Sequence, residues 1–303
     1  SLSERATGRP LWIDLSGLPL LPTQWDDWLD DWLRRLTYPN ELVATSVLKE
    51  VVFLPPLVRQ EAYSGLYAWL ESLGFKADDA KHKERDRDFH GFAYDWRQDN
   101  RVSAQQLGEA VERWRAMKPG ADVWVIAHSN GGAVARWYIE KLGGMDRVKR
   151  LILLGSPWDG TPKVMKLGFN GTDTFLRNSF NAFNIREKSR DLFRTFPSLY
   201  QLMPLQNPFL RDENNSVVDP FKGGAGWLPD ANQRGLLIDG RKFTQDLGDT
   251  ESVETLCFYG QNVMTTTAGV VKLEAGGRWG DIEWIDTDAG DGTIPERSAL
   301  HPN

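Results

Sequence analysis

The apolar positions of this chain change their spacing along its length, and each change marks an element. Over residues 23–36, Trp25, Trp28, Leu29, Trp32, Leu33 and Leu36 recur at helical spacing, which predicts a helix with one apolar face. Asp26, Asp27, Asp30 and Asp31 point away from that face and crowd its first half, while Arg34 and Arg35 close it, as the helix dipole favours. Residues 61–73 predict a second helix ended by Gly74, and residues 88–96 a strand. Ser103 with Gln106 reads as a capping box for a helix carrying Leu107, Val111 and Trp114, closed near Pro119 and Gly120. Then come a short apolar strand at 123–127, a helix at 131–142 and a strand over Val148–Leu154. Strands this apolar, alternating with helices, imply an α/β fold: a doubly wound, mostly parallel sheet with helices on both faces.

After Pro157 the alternation stops. Residues 160–250 mix Gly, Pro, Asn and Phe without a strand period, over a length no ordinary loop has. They are expected to form an inserted cap or lid on a core made of residues 1–159 and 251–303. Strand signals return at 254–259, and 270–273 with 279–284 predict a hairpin.

Composition narrows the function classes. With 41% hydrophobic and 26% charged residues among 303, the chain can bury a core. Lys and Arg number 36 against 42 Asp and Glu, a net charge of −6, which argues against a nucleic-acid partner. The single cysteine, Cys257, excludes an intrachain disulfide. No apolar run approaches the roughly 18 residues of a membrane span, and residues 1–10 lack a signal-peptide core, so no transmembrane or targeting segment is expected in these residues. The tryptophan stripe of residues 23–36 has the chemistry to touch a membrane or lipid-particle surface. Its acidic face would then meet the headgroups, so packing on the core is the favoured reading.

The chemistry concentrates at Ala127-His128-Ser129-Asn130-Gly131-Gly132, which follows a buried strand and opens a helix. That is the setting of a nucleophile elbow, whose serine needs small residues two positions to either side; here they are Ala127 and Gly131. The Asn130 N–H, at the helix start, is expected to donate to an oxyanion. A serine needs a base held by a carboxylate. Asp291, in the turn Gly290-Asp291-Gly292-Thr293, is the candidate acid. Asp286, Asp288 and Asp291 do not make a calcium loop, because the fifth position is Gly290, and neither metal nor cofactor is expected. Of four histidines, His82 lies in a charged run, His90 precedes the nucleophile, and His128 is pinned beside it. Only His301 follows Asp291, too closely for the usual helix and strand between acid and base. The base is therefore His301 in an unusual layout, or a histidine beyond Asn303.

Five segments, in order, resemble the lecithin:cholesterol acyltransferase family, which includes the phospholipid:diacylglycerol acyltransferases. They are Ala93-Tyr94-Asp95-Trp96-Arg97, the elbow at 127–132, Gly155-Ser156-Pro157-Trp158-Asp159-Gly160-Thr161-Pro162, the segment Phe196-Pro197-Ser198-Leu199-Tyr200-Gln201-Leu202-Met203-Pro204, and the turn at 290–295. The resemblance implies that Ser129 accepts the acyl group, Asp291 is the triad acid, Asp95-Trp96-Arg97 braces the site, and Trp158 and Pro162 border the acyl pocket. It also implies an α/β-hydrolase fold and a lipid ester substrate. Asn130 stands where mammalian members often carry an apolar residue. The Pro-Gly turn that gives the family its second oxyanion donor has no counterpart in these residues. The expected function is acyl transfer or hydrolysis on lipid esters. A catalytically inactive binding module of the same fold, or a non-lipid esterase or amidase, are the alternatives.

Overall fold

A computed structural model describes residues 1–8, 10–12, 25–40, 42–47, 50–53, 58–61, 63–79, 81–172, 184–222 and 226–301. They fall into two compact units, Ser1–Asp95 with Glu109–Ala121, and Trp96–Gly108 with Asp122–Asn303.

In the first unit, β1 (Leu2–Glu4) pairs antiparallel with β2 (Pro10–Trp12) and with β3 (Leu42–Ala44). Helix α1 (Trp25–Leu36) buries Leu29, Trp32, Leu33 and Leu36, while Asp27 and Asp30 stay in water. Each such apolar side chain contributes about 1.5–3 kcal/mol when withdrawn from solvent, so these four residues form a packing face. The Trp32 indole N–H donates to the Leu11 carbonyl at 3.0 Å, tying α1 to β2. Residues 23 and 24 of the expected helix lie outside the described residues. A second antiparallel pair, β4 (Glu50–Phe53) with β5 (Val58–Glu61), takes the residues just before α2 (Ser64–Ser72). The second helix therefore starts later than its pattern predicts.

The strand expected at 88–96 does not form. Its backbone groups are taken locally: the Gly91 N–H donates to Asp78 at 2.8 Å, and the Asp88 and Phe89 N–H groups to the Lys76 carbonyl. Its aromatic rings find rings instead of a ladder, Phe89 edge-on to Tyr67 and His90 stacked on Trp114. Helix α3 (Asn100–Met117) begins three residues ahead of the expected capping box. The Asp99 carboxylate accepts from the Arg101 N–H at 2.8 Å, and Ser103 Oγ is engaged by Gln98.

The second unit holds a parallel three-stranded sheet, β6 (Val123–His128), β7 (Val148–Leu154) and β9 (Glu254–Phe258), with β7 central. Ala127, Leu151 and Leu153 are buried on the face where α4 (Gly131–Lys141) packs, whereas Trp124, Leu256 and Phe258 on the opposite face are exposed. Residues 160–250 supply α5 (Pro162–Asn170), α6 (Ile185–Phe193), α7 (Pro197–Gln201) and α8 (Ala231–Leu247). They also supply a strand that the pattern did not show, β8 (Leu210–Asp212). It runs parallel to β10 (Thr265–Leu273), which pairs antiparallel with β11 (Trp279–Thr287). A four-residue helix, α9 (Glu296–Ala299), follows. The fold is thus a mixed α/β arrangement containing a parallel sheet.

Side chains join the 160–250 segment to the rest of the unit. The buried Asp159 carboxylate accepts from the N–H groups of Leu205, Gln206 and Asn207 and from the Asn207 side-chain amide, at 2.7–2.9 Å. Ser198, at the start of α7, donates through N–H and hydroxyl to the Arg97 carbonyl, and Trp96 meets Phe196 edge-on. The Asp95-Trp96-Arg97 segment therefore reaches α7 through Trp96 and Arg97. Among the described residues no helix is long and apolar enough to cross a membrane, and no group of side chains is arranged to hold a metal ion.

Candidate active site

Strand β6 ends at His128 and α4 starts at Gly131, so the chain must reverse within two residues. Ser129 accomplishes this at φ 52°, a left-handed conformation that non-glycine residues seldom adopt. Such strain persists only where neighbours enforce it. Here the Ser129 N–H donates to the Leu154 carbonyl at 3.1 Å, and its carbonyl accepts from Gly132 at 2.9 Å. Gly132 also lets the start of α4 lie close to the chain after β7: a Cβ there would lie 2.5 Å from that of Ser156.

Asn130 is the N-cap residue of α4 but does not cap it with its side chain. That side chain instead forms a reciprocal amide pair with Asn100 at the start of α3, at 2.9 and 3.0 Å. Nothing in the local sequence pattern announced this partner, thirty residues away.

Asp291 sits in a turn closed by its own carboxylate, whose Oδ1 accepts from the N–H groups of Thr293 and Ile294, both at 2.8 Å. The other oxygen faces Gly155, the residue after β7; a Cβ on that glycine would lie 3.1 Å from it. Gly260, just beyond β9, leaves equally little room beside the Asp291 Cβ. Because Ser129 is bonded to Leu154, next to Gly155, the serine and the aspartate belong to the same end of the parallel sheet. His128, beside the serine, retains exposed surface, yet the protein around its ring lowers its pKa, and the Asp291 charge pulls it back up. Lys163, on α5, donates to the Gly292 carbonyl and the Thr293 hydroxyl, both at 2.9 Å, which ties the Asp291 turn to α5. Burial depresses the Lys163 pKa, and Asp291 opposes that shift. Sequence reading did not single out this lysine; its spacing from the Gly-Asp-Gly turn carries no pattern.

The remaining candidates lie in a second cluster. Trp158 is buried, with the Arg136 guanidinium 3.7 Å over its ring, His301 edge-on at 4.4 Å, and its indole N–H donating to Cys257 Sγ at 3.4 Å. Arg136 is itself buried, and its pKa falls to about 10 for that reason. His301 turns Nε2 to the Asp249 carbonyl at 3.1 Å, with Glu251 at 3.6 Å. Pro162 occupies the first turn of α5, buried, where its missing N–H removes no bond. The structure thus groups Ser129, Asn130 and Asp291 around the strand ends, and Trp158 with His301 around Arg136.

The Lecithin:cholesterol acyltransferase family model matches residues 53–266, a stretch containing Ser129, Asn130, Trp158 and Pro162 and ending before Asp291. No curated protein matches the chain. A solved structure described as the crystal structure of a Tle4-Tli4 complex is similar over 88% of this chain and 68% of that one, with a TM-score of 0.52 at 15% identity. At that identity the likeness is one of fold. The match of the family model over most of the sequence, with the elbow inside it, carries the assignment: the chain belongs to the lecithin:cholesterol acyltransferase family.

Proposed function

We propose that this chain carries the core and cap of an α/β-hydrolase and performs acyl transfer or hydrolysis on lipid esters through an acyl-serine on Ser129. The observation that carries the reading is the left-handed Ser129 between β6 and α4, at the strand ends where Asp291 also lies. In the reaction, Ser129 Oγ attacks the ester carbonyl as a histidine takes its proton. The tetrahedral oxyanion is held by the Asn130 N–H, and collapse expels the alcohol, which receives the proton from the histidine. Water or a lipid hydroxyl then takes the acyl group by the same steps in reverse order. Asp291 orients the imidazole. Its turn already satisfies Oδ1, leaving the oxygen that faces Gly155 for that role. Trp158 and Pro162, both buried on the segment that joins β7 to α5, border the acyl pocket in this reading.

A fluorophosphonate probe tests the reading by intact-protein mass. Labelling that Ser129→Ala abolishes, at unchanged melting, supports it; no labelling of the folded protein in a chain extended beyond Asn303 to a downstream histidine refutes it and favours a binding module. Hydrolysis of p-nitroanilides in preference to long-chain p-nitrophenyl esters would instead favour an amidase. His301→Ala separates the two candidate bases. With Nε2 on the Asp249 carbonyl, His301 is expected to be dispensable, whereas loss of labelling would make it the base.

A further inference from the structure

The reciprocal amide pair between Asn100 and Asn130 belongs to a longer chain of hydrogen bonds. Asn100 is fully buried, and its N–H donates to Gln201 Oε1 at 2.8 Å. Gln201, the last residue of α7, is also buried, and its amide donates to Asp99 Oδ1 at 2.8 Å. Arg101 bridges Asp99 and Asp239 of α8, at 2.8 and 2.7 Å. The N-terminus of α3, the residue after Ser129 and two helices of the 160–250 segment therefore share one polar network.

Buried amides of this kind fix geometry, because leaving one unpaired costs the full desolvation of that group. An oxyanion donor acts only when its N–H is already aimed, since the gain comes from preorganisation. Asn130 makes no side-chain bond to its own helix, so its side chain is free to serve as a tether for its own backbone. We propose that Asn100, backed by Gln201, is a positioning residue that holds the Asn130 N–H in line for the oxyanion and links that donor to α7. This rests on the acyl-serine reading of the site and extends it to the residues that aim the donor.

The test is the rate of Ser129 phosphonylation by a fluorophosphonate, resolved into maximal rate and half-saturating concentration. Asn100→Ala and Asn130→Ala should each lower the maximal rate about tenfold, short of the roughly 10²–10³-fold that follows loss of an oxyanion donor itself. Half-saturation should stay unchanged. The double variant should lose no more than either single one, because both remove the same pair. Asn130→Ala, whose side chain is only partly buried, carries the test if Asn100→Ala does not fold. A maximal rate equal to the parent's in folded Asn130→Ala, or losses that multiply in the double variant, overturns the proposal while leaving the acyl-serine reading intact. A folded protein that does not label even when extended beyond Asn303 to a downstream histidine overturns both.

Discussion

Gly132→Ala tests how closely the start of α4 packs on the chain after β7. An added Cβ would stand 2.5 Å from Ser156 Cβ, 2.7 Å from Ser156 Oγ and 3.2 Å from a Leu153 methyl. Carbon atoms rest at about 3.5–4.0 Å, so roughly 1 Å of overlap has to be relieved. Leu153 can give by rotating a methyl. Ser156 cannot, because its Cβ moves only with its backbone, and its buried hydroxyl is already spent on the Ala127 carbonyl at 3.3 Å. The start of α4 must lift from the sheet, at about 1–3 kcal/mol for over-packing of this kind. Melting should fall by about 2–4 °C per kcal/mol in a cooperative unit of 150–250 residues. Differential scanning calorimetry measures it. The assignment of the clash to Ser156 is tested by the pair: Gly132→Ala with Ser156→Gly should recover most of the loss, a non-additive result for residues in contact. A Gly132→Ala protein that melts with the parent, or a double variant whose losses simply add, would refute the packing argument.

Ser129→Gly should abolish labelling while melting at or slightly above the parent. Relief of a left-handed backbone, worth about 1–2 kcal/mol, is only partly offset by the about 0.5–1 kcal/mol of added glycine freedom. Asp291→Asn should slow ester turnover by about 10⁴-fold, the loss seen when a triad aspartate becomes an asparagine, with the fold kept because the amide oxygen can still accept from Thr293 and Ile294. Greater damage from Asp288→Asn would name a different acid. The same Asp291→Asn change should lower the His128 pKa further, since it removes the charge that raises it; an NMR titration showing a rise would place the two groups apart. His90 has its pKa lowered by burial against Trp114, so the unfolded chain binds the proton more readily. Stability of the first unit should therefore decline as pH falls below about 6.5, the unperturbed value, and continue to decline until the folded-state pKa is passed. His90→Phe should flatten that slope in urea titrations.

The elbow was legible because its demands are local: a buried strand, small residues around a serine and a helix start leave few sequences that fit. The strands Val148–Leu154 and 254–258 were legible because each carries a short apolar run, although Leu256 and Phe258 lie on the exposed face. Residues 88–96 have the aromatic content of a strand, but side-chain carboxylates and the Lys76 carbonyl captured their N–H groups, a competition that period alone cannot reveal. Strand β8 is three residues long, and its partner β10 follows only after α8, so no window of sequence contains both. The same limit hid Asn100. It is an asparagine at the start of a helix, ordinary as a cap, and only folding brings it to Asn130.

Asp159 has a kinetic consequence. The amides of Leu205, Gln206 and Asn207 lie in irregular chain between α7 and β8, where isotope exchange with water would normally be fast. All three donate to one buried carboxylate, and none can be released singly without leaving part of that charge unsolvated. They should exchange slowly and at a common rate, an island of protection without regular secondary structure. The turn after β7 and the chain after α7 would then open as a single event.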